Sequence, residues 1–385
     1  MSIFVIANNR GMKRSIAILT LALALTAQAF AQQTIPASDS RITWIGRTVA
    51  DDAGGIRCDW SATYARIAFE GTELQMTASD TKRNFYNVWI DSPMAAEPDR
   101  IIVTEGEASP IVLVDKEWMK ARYGRRIPSG HTVIIQKRTE GEQGITDIRS
   151  LTTDGSFLQA EGLKARCLEF IGDSYTCGYG IEDIRKEAPF KAETETSSKT
   201  YAAMLARYFE ADYITVCHSG QGIVRNYNSA DPAHNMPMRY TSALDTDGSF
   251  KWDASAYAFA PAMTVIYLGT NDFSTGMQPS YASFSANYIT LIKQVKANYG
   301  AGHPVLCVAP KHDDLQLDYI RKIVGTCGLE AVYFCSMFTA VHIDDDEDLG
   351  ASWHPNYNGQ RKVAHALLPY ISTITGWPLE DKTVK

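Results

Sequence analysis

The sequence predicts an α/β protein in two parts, a β-sandwich followed by a parallel sheet with helices on both faces. Three observations lead there. From residue 41 to 159, short runs of alternating apolar residues are separated by Gly, Pro, Asp and Ser, which is the pattern of antiparallel strands joined by turns. After about Gly162, apolar strand-length runs alternate with amphipathic helical stretches, which implies parallel strands joined by helices. The 385 residues leave room for two domains.

Along the chain, Lys13 and Arg14 come first, then an apolar stretch over 16–25 and Ala29-Phe30-Ala31. This is a basic n-region, a short h-region and a small-x-small cleavage site. The stretch is too short for a comfortable membrane span. Residues 1–31 are expected to be a signal peptide cleaved after Ala31, exporting the chain to the periplasm or beyond. Met12 is an alternative start, and no cysteine near the cleavage site suggests a lipid anchor. Residues 32–160 form the sandwich, with strands in ARIAFEG, LQMTAS, FYNVWID, RIIVTEG, PIVLVD and HTVIIQKRTE. Residues 161–385 form the second domain. Its strands are RCLEFIGDS, YITVCHSG, MTVIYLGTND, PVLCVAP and AVYFCSM. Its helices are TYAAMLARYFEA, YASFSANYITLIKQVKANYG, LQLDYIRKIVGTCG and a terminal one over 357–375.

The composition is ordinary for a globular protein, with 45% hydrophobic and 21% charged residues. The net charge is −7, and residues 1–31 hold three cations and no acid, so the mature chain carries about −10. An acidic chain is a poor partner for nucleic acid or an anionic membrane, and a neutral substrate fits better. The seven cysteines are odd in number and contain no CxxC pair. They read as small buried apolar residues rather than as a disulfide framework. No Cys/His spacing matches a structural zinc site, so no metal is expected.

Three strand ends carry chemistry. IGDSYTCGYG places Ser174 at the first, HSGQG places Gly220 at the second, and LGTND places Asn271 at the third. SWHPN supplies His354 just before the last helix. In a parallel sheet, ligands bind beyond the carboxyl ends of the strands. Acyl transfer needs such a set: a serine activated by a base and preorganised donors for the oxyanion. Gly220 can bring its N–H close to a ligand because it has no side chain, and Asn271 can offer an amide. Taken singly, each residue also fits a turn, a cap or a loop. A G-x-S-x-G elbow is absent, since Thr176 stands at its second Gly, which disfavours an α/β-hydrolase.

The blocks IGDSYTCGYG, HSGQG, LGTND and SWHPN resemble the four blocks of the SGNH (GDSL-type) hydrolases over residues 165–378. The run from HTVIIQKRTE into RCLEFIGDSYTCGYG, with GQGIVRNYN and the WHPN end, is similar to carbohydrate esterase family 2. That resemblance implies a jelly-roll sandwich joined to a flavodoxin-like SGNH domain, a three-layer α/β/α fold. It implies a serine esterase that removes acetyl groups from plant-wall polysaccharide such as xylan or glucomannan, with no cofactor. By position it implies Ser174 as nucleophile and His354 as base, with an oxyanion hole from the Ser174 and Gly220 N–H groups and the Asn271 amide. SGNH hydrolases usually carry Asp two residues before the histidine, where this chain has Ser352. A Ser–His dyad with a backbone carbonyl orienting His354 is the expectation, and an acid from Asp344–Asp348 is the alternative.

Trp353 and Tyr227, with Trp252 and Tyr240, are candidate aromatic platforms for a sugar face, against a reading as core or lid packing. Asp173 and Asp272 read as loop braces. Asp344–Asp348 lacks EF-hand spacing and reads as a solvated loop, and His312 is a rival base. Two other functions remain open: an SGNH lipase, lysophospholipase or thioesterase, and a non-catalytic carbohydrate-binding protein.

Overall fold

The structure, a computed structural model, describes residues 32–95, 97–229, 234–257, 260–276, 278–310, 313–341, 343 and 346–385. The signal-peptide expectation (1–31) and the rival base His312 lie outside the described residues. Among the described residues, no helix is long and apolar enough to cross a membrane.

The N-terminal part is an antiparallel sandwich. Its strands are β1 (Gln33–Pro36), β2 (Thr43–Ile45), β3 (Val49–Ala50), β4 (Ile56–Cys58), β5 (Tyr64–Glu70), β6 (Leu74–Ile90), β7 (Arg100–Val114), β8 (Gly130–Lys137), β9 (Thr146–Thr153) and β10 (Ser156–Leu158). The long β6 belongs to both halves. Its first residues pair with β9 and its last with β8. Ile67, Phe69, Val133 and Ile135 from one half meet Ile35, Met76, Ile148 and Leu151 from the other in a single core.

Two pairs of expected strands are each one strand. LQMTAS and FYNVWID fuse into β6, and RIIVTEG and PIVLVD into β7. The polar residues between them make register shifts around Asp80, not turns. There the buried Asp80 carboxylate accepts from Asn84 Nδ2 (3.0 Å), Thr104 Oγ1 (2.8 Å) and Thr146 Oγ1 (2.6 Å), which keeps the ladder continuous through the bend. Pro110 is tolerated in β7 because that strand pairs only with β6 and so lies at a sheet edge. A helix absent from the sequence expectation, α1 (Lys116–Tyr123), follows β7, with Asp115 as its N-cap.

The second part is a five-stranded parallel sheet in the order β12-β11-β13-β14-β15. The strands are β11 (Cys167–Gly172), β12 (Asp212–Cys217), β13 (Met263–Tyr267), β14 (Val305–Ala309) and β15 (Val332–Ser336). The helical segments, in chain order, are α2 (Ser174–Cys177), α3 (Tyr201–Tyr208), α4 (Met236–Arg239), α5 (Thr270–Phe273), α6 (Tyr281–Tyr299), α7 (Asp314–Thr326), α8 (Met337–Ala340) and α9 (Tyr357–Thr375). Both faces are apolar, as the unbroken runs require. Leu168 and Phe170 face α3 and α9, while Ile171 faces α6 and α7. The order is the flavodoxin-like one, so β11, β12 and β13 flank the topological switch point. All seven cysteine thiols are free, and all but Cys327 are buried.

The two parts are joined by buried charges. Strand β5 has no solvent face: Ala65, Ile67 and Phe69 enter the sandwich core, while Tyr64 joins the core of the second part. Tyr64 donates to Asp212 Oδ1 (2.7 Å), and the Arg66 guanidinium pairs with the same carboxylate. Arg47 lies between the Tyr240 and Trp252 rings, 4.5 and 4.6 Å from their centroids. It donates to the Ser242 carbonyl (2.9 Å) and faces Glu169 at 3.4 Å. Glu169 also accepts from Tyr240 (3.1 Å), Tyr299 (3.1 Å) and Thr264 (2.9 Å) hydroxyls. Removing one member of a buried pair strands the other charge. Arg47→Ala should therefore lower stability against urea by about 3–5 kcal/mol. An unfolding midpoint equal to that of the unsubstituted chain would show that the pair contributes nothing.

Candidate active site

The three chemistry-bearing strand ends meet at the switch point. Strand β11 ends at Gly172, and Asp173 caps the short helical turn α2 by accepting the Tyr175 N–H at 3.2 Å. Ser174 is the first residue of that turn and is nearly buried. His354 approaches from the other side on the short strand β17 (His354–Pro355), paired with β16 (Leu349–Gly350). The approach is close. A Cβ on Gly180 would lie 2.6 Å from the Ala351 Cβ, so the second glycine of CGYG makes room for the histidine loop.

Ser174 Oγ lies 2.8 Å from His354 Nε2. His354 Nδ1 lies 2.9 Å from the Ser352 carbonyl oxygen. A carbonyl only accepts, so Nδ1 carries the proton and Nε2 is left as the acceptor for the serine hydroxyl. The carbonyl is aimed by an unusual backbone. Ser352 and Trp353 both have positive φ, 54° and 63°, a conformation costing of order 1–3 kcal/mol for each such residue. Three backbone bonds hold it: Ala351 N–H to Asp183 O (3.1 Å), Ser352 N–H to Ala188 O (2.9 Å) and Trp353 N–H to Lys186 O (3.0 Å). Two members of the acidic loop point elsewhere, Asp346 to Lys186 and Asp348 to Lys362. Asp348 is buried, unlike the solvated residue expected. Asp344 and Asp345 lie outside the described residues.

The His354 ring packs against Tyr179 at 4.4 Å and Tyr175 at 5.7 Å between centroids, and Phe190 stacks on Tyr179. This burial pushes the imidazole down to about 4, since desolvation disfavours the charged form. Sequence reasoning missed the aromatic wall, although Tyr175 and Tyr179 both lie in the nucleophile motif.

Gly220 has φ 75°, and its carbonyl accepts the Tyr227 N–H at 2.7 Å. The Asn271 amide nitrogen donates to the Gln221 carbonyl at 2.8 Å and faces Asp173 Oδ2 at 3.3 Å. Asp272 accepts the N–H groups of Ile223 (2.8 Å), Val224 (2.7 Å) and Arg225 (3.0 Å). It therefore braces the loop that carries Gly220, not its own turn alone. Burial pushes Asp173 up to about 7 and Asp272 up to about 6. The arrangement can pass a proton from a serine hydroxyl to an imidazole beside backbone and amide donors, which is the equipment of acyl transfer.

Trp353 and Tyr227 stand beside this centre with 52% and 58% of their surface exposed. Lys186 Nζ lies over the Trp353 ring at 4.8 Å. The other two platform candidates pack against neighbouring side chains. Tyr240 is buried on Glu169, and Trp252 packs between Arg47 and Tyr257. Among the described residues, one group has the composition of a metal site: Glu140, Cys177 and Glu195. Burial pushes the thiol and the Glu195 carboxyl well above their ordinary values.

Comparison with known proteins places the chain in a family. Residues 44–160 match the carbohydrate esterase 2 N-terminal family and residues 170–362 the GDSL-like lipase/acylhydrolase family. The chain is 31% identical over 356 residues to the cellulase/esterase CelE of Acetivibrio thermocellus, covering 90% of this chain but 41% of CelE. It is 26% identical over 329 residues to an acetylxylan esterase/glucomannan deacetylase of Cellvibrio japonicus, covering 82% of this chain and 85% of that protein. A family two carbohydrate esterase from Clostridium thermocellum, solved with cellohexaose, superposes with a TM-score of 0.78 at 30% identity. That match covers 88% of this chain and 100% of the solved one. The chain thus belongs to the family 2 carbohydrate esterases and is a carboxylic ester hydrolase.

Proposed function

We propose that the protein is an exported esterase that removes O-acetyl groups from carbohydrate, with Ser174 as nucleophile and His354 as base. The observation that carries the reading is the Ser174 Oγ to His354 Nε2 contact of 2.8 Å with Nδ1 held on a carbonyl. Ser174 Oγ attacks the acetyl carbonyl while Nε2 takes its proton. The oxyanion lies on the Ser174 N–H, the Gly220 N–H and the Asn271 amide. The proton then passes to the departing sugar oxygen, leaving acetyl-Ser174. Water attacks this ester with His354 again as base, and acetate leaves. Trp353 and Tyr227 offer apolar faces to the sugar rings. Relatives that carry acetylxylan and glucomannan deacetylation in their names support acetylated plant-wall polysaccharide as the substrate class. The basic and apolar segment over 13–31 supports export. On this reading residues 32–160 are the sandwich domain and 161–385 the catalytic domain.

Ser174→Ala should fold and lose acetyl-ester hydrolysis, and a fluorophosphonate should label the peptide that contains Ser174 in the unsubstituted enzyme. Turnover by Ser174→Ala would end the reading. Acetate release from acetylated xylan, glucomannan and monosaccharide acetates ranks the substrates. Faster cleavage of octanoyl than acetyl nitrophenyl esters would favour a lipase-like enzyme, and binding to acetylated glycan without turnover would favour a binding protein.

Asn271→Ala removes the amide assigned to the oxyanion hole and should cost about 10²–10³ in kcat, whereas a change confined to KM would assign Asn271 to substrate binding. Ser352→Ala leaves the carbonyl in place and should cost about tenfold or less, the scale of one modest hydrogen bond.

The neutral imidazole is the active form, so lowering its pKa extends activity toward acid. The main acid limb of kcat/KM should fall near pH 4. Any step near pH 7 should belong to Asp173 and vanish in Asp173→Asn. A main limb at pH 6.5, present in both proteins, would contradict the desolvated dyad.

A further inference from the structure

The segment that carries Gly220 is fastened from an unexpected direction. Glu140 belongs to the sandwich, three residues beyond β8, yet its buried side chain reaches the end of β12. The Ser219 N–H donates to Glu140 Oε2 at 2.6 Å, and the Cys177 thiol donates to the same oxygen at 3.5 Å. Ser219 directly precedes Gly220, and Cys177 closes the turn that starts at Ser174. One carboxyl oxygen therefore touches both the nucleophile turn and the oxyanion loop.

The residues around it leave little freedom. The preceding His218 is tied by Nδ1 to Asp245 at 2.6 Å, and the following Gly220 carbonyl accepts from Tyr227. Glu140 is itself anchored. Its N–H donates to Glu195 Oε2 at 3.2 Å, and buried Lys137 donates to its carbonyl oxygen at 3.0 Å. An oxygen of Glu140, one of Glu195 and the Cys177 sulfur lie within 4.8 Å of one another. Burial first, and then the neighbouring Glu140, pushes the Glu195 carboxyl well above its ordinary value. A buried carboxylate is costly unless donors surround it. Here the donors are parts of the catalytic apparatus.

We propose that Glu140 is a positioning residue for ester hydrolysis: it grips the Ser219 N–H and thereby aims the adjoining Gly220 N–H at the acyl oxygen. The inference rests on the oxyanion role read above for Gly220. It gives the sandwich domain a part in the chemical step, with no contact to the substrate.

The test uses the full chain with 4-nitrophenyl acetate and measures kcat, kcat/KM and the thermal unfolding midpoint for Glu140→Ala, Glu140→Asp and Glu140→Gln. Asp retains the charge but withdraws the oxygen by one methylene, while Gln retains an acceptor at the same reach. Ala and Asp should lose about 10–100-fold in kcat, with kcat/KM falling in step, as when an interaction made only in the transition state is weakened. Gln should stay within about threefold of the unsubstituted enzyme, since a neutral acceptor still makes the bond. If Glu140→Ala does not fold, the Asp and Gln pair decides. Unchanged kcat in Glu140→Asp, a loss confined to KM, or a Gln variant as impaired as the Asp variant would overturn the proposal. Asn271→Ala runs alongside. Loss there with silent Glu140 variants defeats this inference alone, whereas turnover in both Asn271→Ala and Ser174→Ala defeats the esterase reading on which it rests.

Discussion

Two buried arginines of the sandwich, Arg47 and Arg66, meet their acids on the catalytic domain at Glu169 and Asp212. Everything else about the molecule depends on this exchange of charge. A guanidinium shut away from water is tolerable only where an acceptor is fixed opposite it. Each arginine therefore admits one relative placement of the two domains. The apolar contacts of β5 fill the space between them but specify direction less sharply, because hydrophobic contact is not directional.

That fixed placement lets loops from different parts of the chain share one site. The loop around Gly220 is bound to the Asn271 turn through Asp272 and Gln221, and to the sandwich through Glu140. Donors held this way need no reorganisation when negative charge appears in front of them, which is the condition under which oxyanion stabilisation is strong. The histidine side is built on the same plan. A backbone held in an unfavourable conformation by its neighbours presents one carbonyl to one ring nitrogen.

Much of this was legible in the sequence because it is periodic or local. The last helix occupies 357–375 as its apolar spacing predicts. The strands that end in Ser174, Gly220 and Asn271 are unbroken apolar runs, and parallel-sheet topology brings their ends together whatever the loops between them do. The joining of runs into β6 and β7 was not legible. Residues such as Asp80 and Pro110 carry turn chemistry locally, and only the distant Thr104 and Thr146 hydroxyls, or an open sheet edge, allow a strand to continue through them. Arg47, Glu169 and Glu140 were equally silent. Each is an ordinary charged residue until a partner more than 50 positions away is brought to it. The carbonyl that orients His354 has no letter of its own.

That last point reaches beyond this chain. Homology patterns are written in side chains, and a position where aspartate gives way to serine is scored as a lost contact. Here the hydrogen bond to Nδ1 is made by a main-chain oxygen two residues away, which any amino acid able to hold the same φ would supply. An alanine scan of residues 351–354 would register the His354 side chain and pass over the main-chain oxygen that holds its ring. The information resides in the curvature of the backbone, and thus in the carbonyls of residues 183, 186 and 188 that enforce it.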